Sequence, residues 1–162
     1  SSVTQTLGYL ERLLDLRLMD IQPAHLLGVE RFATNAAALL KRQLRLTVTS
    51  DLKTALDGAE FVITAIEVDR YLYWAQDYHI PRKYGFVQIY GENGGPGGMF
   101  HALRNMGPLL DVAHTMEELC PQAWLVNYSN PEAKLVQAVA KLTDIKLVGM
   151  CQGVFDGRRQ LS

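Results

Sequence analysis

Apolar positions along the chain keep two rhythms, and the two alternate. Residues 3–14 place Leu7, Leu10, Leu13 and Leu14 on one helical face, which predicts a first helix. Residues 16–21 follow as a short strand that ends on an acid, Asp20. Pro23 then opens a second helix in the tolerated first-turn position, running to Leu40. Residues 45–49 alternate and are β-branched, as a strand requires. Leu52–Leu56 reads as a short helix closed by Asp57-Gly58, and residues 61–66 as a strand apolar enough to be buried on both faces. Residues 68–84 mix aromatic and charged positions, predicting a helix that gives way to a loop near Ile80-Pro81. Residues 91–98 are glycine-rich and read as a flexible loop exposing its backbone, and 99–119 return to the helical period. Two apolar strands close the pattern, 123–126 and 145–150, with a helix over Glu132–Leu142 between them.

Strand and helix alternating in this way predict an α/β fold: a doubly wound, Rossmann-like, mostly parallel sheet within one domain, residues 1–162. In such sheets ligands bind outside the carboxyl ends of the strands. Both closing strands end on chemically capable residues there. One runs into Asn127-Tyr128-Ser129-Asn130-Pro131, the other into Cys151-Gln152-Gly153. The glycine turn that normally follows the first strand of a dinucleotide fold is absent. Asp20 nonetheless stands where a ribose-binding acid belongs, and a strand and glycine turn preceding Ser1 would complete the pattern. The alternative role of an Asp at a strand end is to form the turn.

Composition narrows the class. A 162-residue chain with 48% hydrophobic and 20% charged residues and a net charge of −1 can bury a core and carries no basic block for nucleic acid or a membrane surface. No apolar run approaches the roughly 20 residues of a membrane span, and the start does not read as a signal peptide. Two cysteines, Cys120 and Cys151, make no disulfide framework and predict a reducing, cytoplasmic setting. Cys120 reads as a small buried residue at the end of a helix. Ser1 in place of methionine, and a stop at Leu161-Ser162 inside what reads as a new helix, predict a fragment of a longer chain.

An ordered set of short motifs is more specific. Asp77 is followed by Ile80-Pro81-Arg82-Lys83-Tyr84-Gly85, then Gly91 with Gly95-Pro96-Gly97-Gly98, then Ala102-Leu103-Arg104. Met116-Glu117-Glu118-Leu119-Cys120-Pro121-Gln122-Ala123-Trp124, Asn127-Tyr128-Ser129-Asn130-Pro131 and Val148-Gly149-Met150-Cys151 complete it. In this order the set resembles glycoside hydrolase family 4, the NAD- and manganese-dependent glycosidases. The passage from Asp57-Gly58 into the following strand is similar to that of the lactate and malate dehydrogenase superfamily.

The resemblance implies the cofactor-binding part of an enzyme outside the two-carboxylate scheme of most glycosidases. It implies oxidation of the sugar at C3 by hydride transfer to NAD, removal of the acidified C2 proton and elimination of the glycosidic oxygen. A divalent metal, Mn²⁺ in the family, would act as Lewis acid on O2 and O3. Carried over residue by residue, Cys151 is the metal ligand, Asn130 binds the sugar, and Asn127 faces the nicotinamide ribose. Ile66, at the end of its strand, and Asp20 belong to the NAD site, and the glycine stretch forms a wall of the active site. Gln152 stands at the family's proton-donor position, yet an amide does not titrate near neutral pH. Gln76 lies near the place where phosphosugar-specific members carry arginine, and its neutrality favours an unphosphorylated sugar or a uronide. His79 and His101 flank the glycine stretch as candidates to reach substrate, whereas His25 and His114 read as surface or satisfied helix residues. A glycoside substrate and a homodimer or homotetramer are the implied partners.

On the residues alone, Cys151 can equally be a small strand-end residue, Asn127 a turn former, and residues 91–98 a plain turn. Two competing readings remain at this level. One is a lactate/malate-type 2-hydroxyacid dehydrogenase, which leaves Cys151 and the Gly-Gly-Pro-Gly-Gly stretch unexplained. The other is a truncated, non-catalytic dinucleotide-binding fragment.

Overall fold

A computed structural model describes residues 14–41, 43–151 and 153. The helix expected over 3–14 and the whole of Gln152 lie outside these, apart from Leu14, which opens a strand instead. The chain forms two compact units, residues 1–57 and 58–162.

In the first unit β1 (Leu14–Met19) and β2 (Leu44–Thr49) pair in parallel, Leu14 opposite Leu44 and Met19 opposite Thr49. β1 therefore starts two residues earlier than the apolar run suggests and stops before Asp20. The reason is local: the Asp20 carboxylate accepts the Gln22 N–H at 2.7 Å, turning the chain out of the strand. Helix α1 (Pro23–Leu39) begins with its proline in the first turn, as expected. Its buried residues, Leu26, Ala33, Ala36 and Ala37, lie about one or two turns apart and pack on β2. Helix α2 (Leu52–Leu56) is only five residues long and depends on its cap, where the Asp51 carboxylate accepts the Thr54 N–H at 2.8 Å. Hydrogen bonds from the Thr54 hydroxyl and then its N–H hold the Asp51 carboxyl below its ordinary pKa.

The second unit is built on a parallel three-stranded sheet in the order β3 (Phe61–Thr64), β4 (Trp124–Asn127), β5 (Lys146–Gly149). The register sets Thr64 beside Asn127 and Asn127 beside Gly149, so all three carboxyl ends lie along one edge. Alternation decides the faces. Leu125 and Asn127 are fully buried on one side, whereas Phe61, Ile63, Trp124 and Val148 stand exposed on the other. The continuous run 61–66 thus does not make a strand buried on both faces: β3 ends at Thr64, and Phe61 and Ile63 are 67% and 69% exposed. A run without alternation records only that both faces are apolar; it does not record what covers them.

Helix α4 (Gly95–Leu119) supplies the core of this unit through Ala102, Leu109, Val112, Ala113 and Met116. It packs on α3 (Arg70–Lys83) and on α5 (Glu132–Leu142), whose Leu135 and Val139 are fully buried. Two sequence expectations change here. The chain does not leave the helix at Ile80-Pro81: α3 continues to Lys83 with Pro81 inside its last turn. Proline has no N–H to give the carbonyl four residues back, that of Asp77, and the buried Gln88 side chain fills the gap, donating to Asp77 O at 2.8 Å. Likewise residues 95–98 are not loop but the first turn of α4, with Pro96 near its start.

Gly97 explains how the two helices come so close. A Cβ there would lie inside the Asp77 carbonyl and against the Gln88 amide. Contact with a main-chain atom cannot be relieved by a rotamer change, so Gly97→Ala must push α4 away from α3. Overpacking of this kind costs about 1–3 kcal/mol. We expect a clearly lowered thermal midpoint for Gly97→Ala, whereas alanine at Gly107, where a Cβ meets nothing within 4 Å, should raise or preserve it.

Candidate active site

The carboxyl edge of the second sheet is held together by side-chain hydrogen bonds. The Thr64 hydroxyl donates to Asn127 Oδ1 at 3.1 Å, and the Ser129 N–H reaches the same oxygen at 3.2 Å. Asn127 Nδ2 donates to Ser129 O at 3.0 Å, so the fully buried Asn127 amide has partners on both its ends inside the chain. The Ser129 hydroxyl in turn accepts the Ile66 N–H at 2.7 Å. These bonds join the end of β3 to the end of β4 and fix the backbone path of both Ile66 and Ser129. Past β5 the ladder continues for one residue, with the Met150 N–H on Asn127 O at 2.9 Å. Cys151 follows directly as a free, exposed thiol.

Beside this edge lies a cluster of buried and half-buried charges. Asp77, on α3, is the pivot. Arg104, on α4, binds it through two parallel contacts of 2.9 and 3.0 Å, and His101 Nδ1 lies 3.1 Å from the same carboxylate. Hydrogen bonding to Asp77 pushes the Arg104 guanidinium above its ordinary pKa, burial opposing this less strongly. Arg104 also stacks over Tyr73 at 4.4 Å. Asn105, fully buried, closes the turn by accepting the Val68 N–H at 2.9 Å and donating to His101 O at 3.2 Å.

The outer part of the cluster is acidic. Arg70 bridges Glu67 at 2.8 Å and Glu92 at 3.1 Å. Burial pulls the Arg70 pKa down, and the hydrogen bond and charge of Glu67, then those of Glu92, reverse this to a net rise. The Trp74 indole donates to Glu92 Oε2 at 2.8 Å, and Asn130 Nδ2 lies 3.1 Å from Glu92 Oε1. A carboxylate only accepts, so this contact settles the orientation of the Asn130 amide: Nδ2 toward Glu92, Oδ1 away. Lys134 completes the frame by donating to Asn93 O at 2.8 Å, tying α5 to the turn before α4.

The sequence-derived candidates therefore fall in three places. Ile66, Asn127, Asn130 and Cys151 stand at the carboxyl edge. Gln76 is exposed and spends its amide on its own helix, donating to Leu72 O at 2.9 Å. It lines a cleft with Asp77, Ile80, Pro81 and Phe100. Asp20 belongs to the first unit, where one carboxylate oxygen caps the turn and the other lies 3.3 Å from the exposed His25. His79 is exposed on α3 with its ring edge-on to Tyr78, and His114 is exposed beside Glu117. His101 is the histidine drawn into the cluster, 1% exposed.

Glu67, Arg70, Trp74 and Glu92 have no counterpart among the sequence candidates. Their signal was faint but present: Glu67 and Arg70 stand three apart across a helix start, and Glu92 lies inside the glycine stretch.

The fold is of the parallel α/β, Rossmann-like class. A lactate dehydrogenase from Eimeria maxima, solved with NADH and oxamate, superimposes with a TM-score of 0.58 at 16% identity over 85% of this chain and 36% of that one, a likeness of fold alone. The sequence is more specific. The chain belongs to the family 4 glycosyl hydrolases, whose family model matches residues 2–162. It is 42% identical over 149 residues to an alpha-glucosidase of Erwinia rhapontici, covering 91% of this chain and 33% of that enzyme. It is 37% identical over 141 residues to an alpha-galactosidase of Bacillus subtilis, covering 86% and 33%. A 6-phospho-alpha-glucosidase from gut microorganisms, solved with NAD and glucose-6-phosphate, aligns with a TM-score of 0.80 at 26% identity, covering 91% and 33%. The chain thus spans about a third of the length of the relatives it matches.

The two thiols should separate cleanly. Burial raises the Cys120 pKa, its hydrogen bond to the Ala59 backbone opposing this less, so at pH 8 that thiol carries even less thiolate than an ordinary cysteine. A disulfide reagent added to the native chain at pH 8 should modify Cys151 quickly and Cys120 only on unfolding. Equal rates for both thiols would contradict this placement.

Proposed function

We propose that this chain is the cofactor- and sugar-binding part of an NAD- and divalent-metal-dependent glycosidase acting on an unphosphorylated sugar or a uronide. The observation that carries the proposal is the family match across residues 2–162, met by Asn130 and the exposed Cys151 thiol just past the carboxyl ends of a parallel sheet. The residues present fit the two groups implied. Cys151 is an exposed, unpaired thiol one residue past the last ladder bond of β5, with the access a metal ligand requires. Asn127 ends β4 and Ile66 lies two residues past the end of the adjacent parallel β3, the ordinary position for a dinucleotide. When bound, NAD would supply hydride transfer to and from the sugar, and a divalent ion would supply Lewis-acid polarisation of its oxygens.

The chain's own residues then position and hold. Asn130, its Nδ2 fixed by Glu92, presents Oδ1 to a sugar hydroxyl. Asn127 acts through shape, keeping the β4 end and Ser129 in place so that the Ile66 backbone borders the cofactor. Asp20 would receive a ribose hydroxyl of NAD on lone pairs its turn does not use. Gln152 can hydrogen-bond the sugar but cannot donate a proton to the leaving oxygen, so that proton must come from water or another group. The neutral Gln76 offers no cation for a sugar phosphate. A homodimer or homotetramer in the cytoplasm completes the reading; among the described residues no helix is long and apolar enough to cross a membrane.

The test is hydrolysis of α- and β-nitrophenyl glycosides by a family-length polypeptide carrying this sequence, with and without NAD and Mn²⁺. Turnover should require both, and Cys151→Ser should raise the Mn²⁺ concentration for half-activation at least tenfold. Hydrolysis indifferent to NAD would overturn the mechanism.

A further inference from the structure

The cluster around Asp77 contains an unsolved piece of hydrogen-bond accounting. His101 Nε2 and Glu67 Oε1 are both buried and, among the described residues, both without a hydrogen-bond partner, yet they lie 3.2 Å apart. The other ring nitrogen of His101 is committed to Asp77, whose carboxylate can only accept, so the ring's proton belongs on Nδ1. With the ring neutral, the lone pair of Nε2 and one of Oε1 face the same small space. Glu92 borders it too, and the three side chains offer ligand atoms that all lie within 4.8 Å of one another.

We propose that Glu67, Glu92 and His101 form a divalent-cation site, built from residues other than Cys151 and independent of the role given to that thiol. A separation of 3.2 Å between a ring nitrogen and a carboxylate oxygen is what two adjacent ligands of one ion show when each is about 2.0–2.2 Å from it. The outer contacts also have the form of a ligand set. A metal-bound histidine ordinarily donates its second N–H to a carboxylate that is itself held, and here Asp77 is clamped by the two contacts from Arg104. The other oxygens of the two glutamates are bridged by Arg70, which cancels one of their two charges and leaves one facing the space. One imidazole and two carboxylates suit Mn²⁺ or Zn²⁺ better than a soft ion. A cation there would staple the segment after β3, the turn at Glu92 and helix α4 to one another, next to the Asn130 amide.

The site is read directly from Mn²⁺ binding to the 162-residue chain carrying Cys151→Ser, so that the thiol contributes nothing. The chain should remove about one free Mn²⁺ from the EPR spectrum per molecule, and electron spin-echo modulation should show coupling to an imidazole nitrogen. Glu67→Gln and His101→Gln, each checked for native circular dichroism, should weaken binding at least tenfold, and Asp77→Asn about 10–100-fold, because the carboxylate that holds the His101 Nδ1–H is lost. Zn²⁺ should compete for the same site. Absence of nitrogen coupling, or unchanged affinity in Glu67→Gln, would overturn the proposal; the pair would then be closed by a proton shared between His101 and Glu67. Because Cys151 is absent from every arm, a failure here leaves the glycosidase reading untouched, and NAD-independent hydrolysis would leave this site untouched.

Discussion

The second unit depends on one carboxylate. Asp77 is about as buried as a core leucine, and what makes that tolerable is the geometry of its partners: a guanidinium gripping both oxygens and an imidazole N–H against one of them. An isolated charge so placed would be strongly unfavourable, and breaking a buried pair of this kind costs about 3–5 kcal/mol because the remaining charge is left uncompensated. The pair therefore locks the side chains of α3 and α4 in register. The main chain of the same residue does the rest, since its carbonyl takes the Gln88 amide in place of the N–H that Pro81 lacks and presses against Gly97. Side-chain charge and backbone packing thus fix one contact from two directions.

From that contact the orientation of the polar groups follows outward. Asp77 aims His101; His101 and Asn105 hold the turn at Val68; Glu67 and Glu92 share Arg70; Glu92 turns the Asn130 amide. On the strand side, Asn127 and Ser129 hold the ends of β3 and β4 together. Asn130 is where the two networks meet, since it follows Ser129 in the chain and touches Glu92 across space. A sugar hydroxyl there would be read by an amide whose rotamer and flip are both set before the ligand arrives, which is what preorganised recognition requires.

Much of this was legible in the sequence, for identifiable reasons. Strand–helix alternation is a strong periodic signal, and it placed every described strand and helix to within a few residues. The ordered motifs identified the family, and the residues beginning at Asn127 and at Cys151 do stand at strand ends. What failed were inferences from single residue types. Pro81 and the glycines of 95–98 read as breakers, yet proline is tolerated in the last turn when another donor serves the orphaned carbonyl, and glycine is required where one helix touches the backbone of another. The apolar run 61–66 concealed an exposed face. Asp77 and His101 stood out in the sequence only as separate residues, and Glu67 and Glu92 only faintly; that the four form one cluster was not legible, because they are joined by tertiary packing and no local rhythm marks it.

The most direct test of the Asp77-centred account is nitrogen-15 NMR of the His101 ring in the metal-free chain, using its long-range couplings to locate the ring proton. The account predicts a proton on Nδ1, shielded from exchange by its bond to Asp77, and loss of that protection in Asp77→Asn. A ring protonated on Nε2 alone, with Nδ1 bare, would mean that Asp77 does not orient His101, and the chain of contacts running from it to Asn130 would lose its origin.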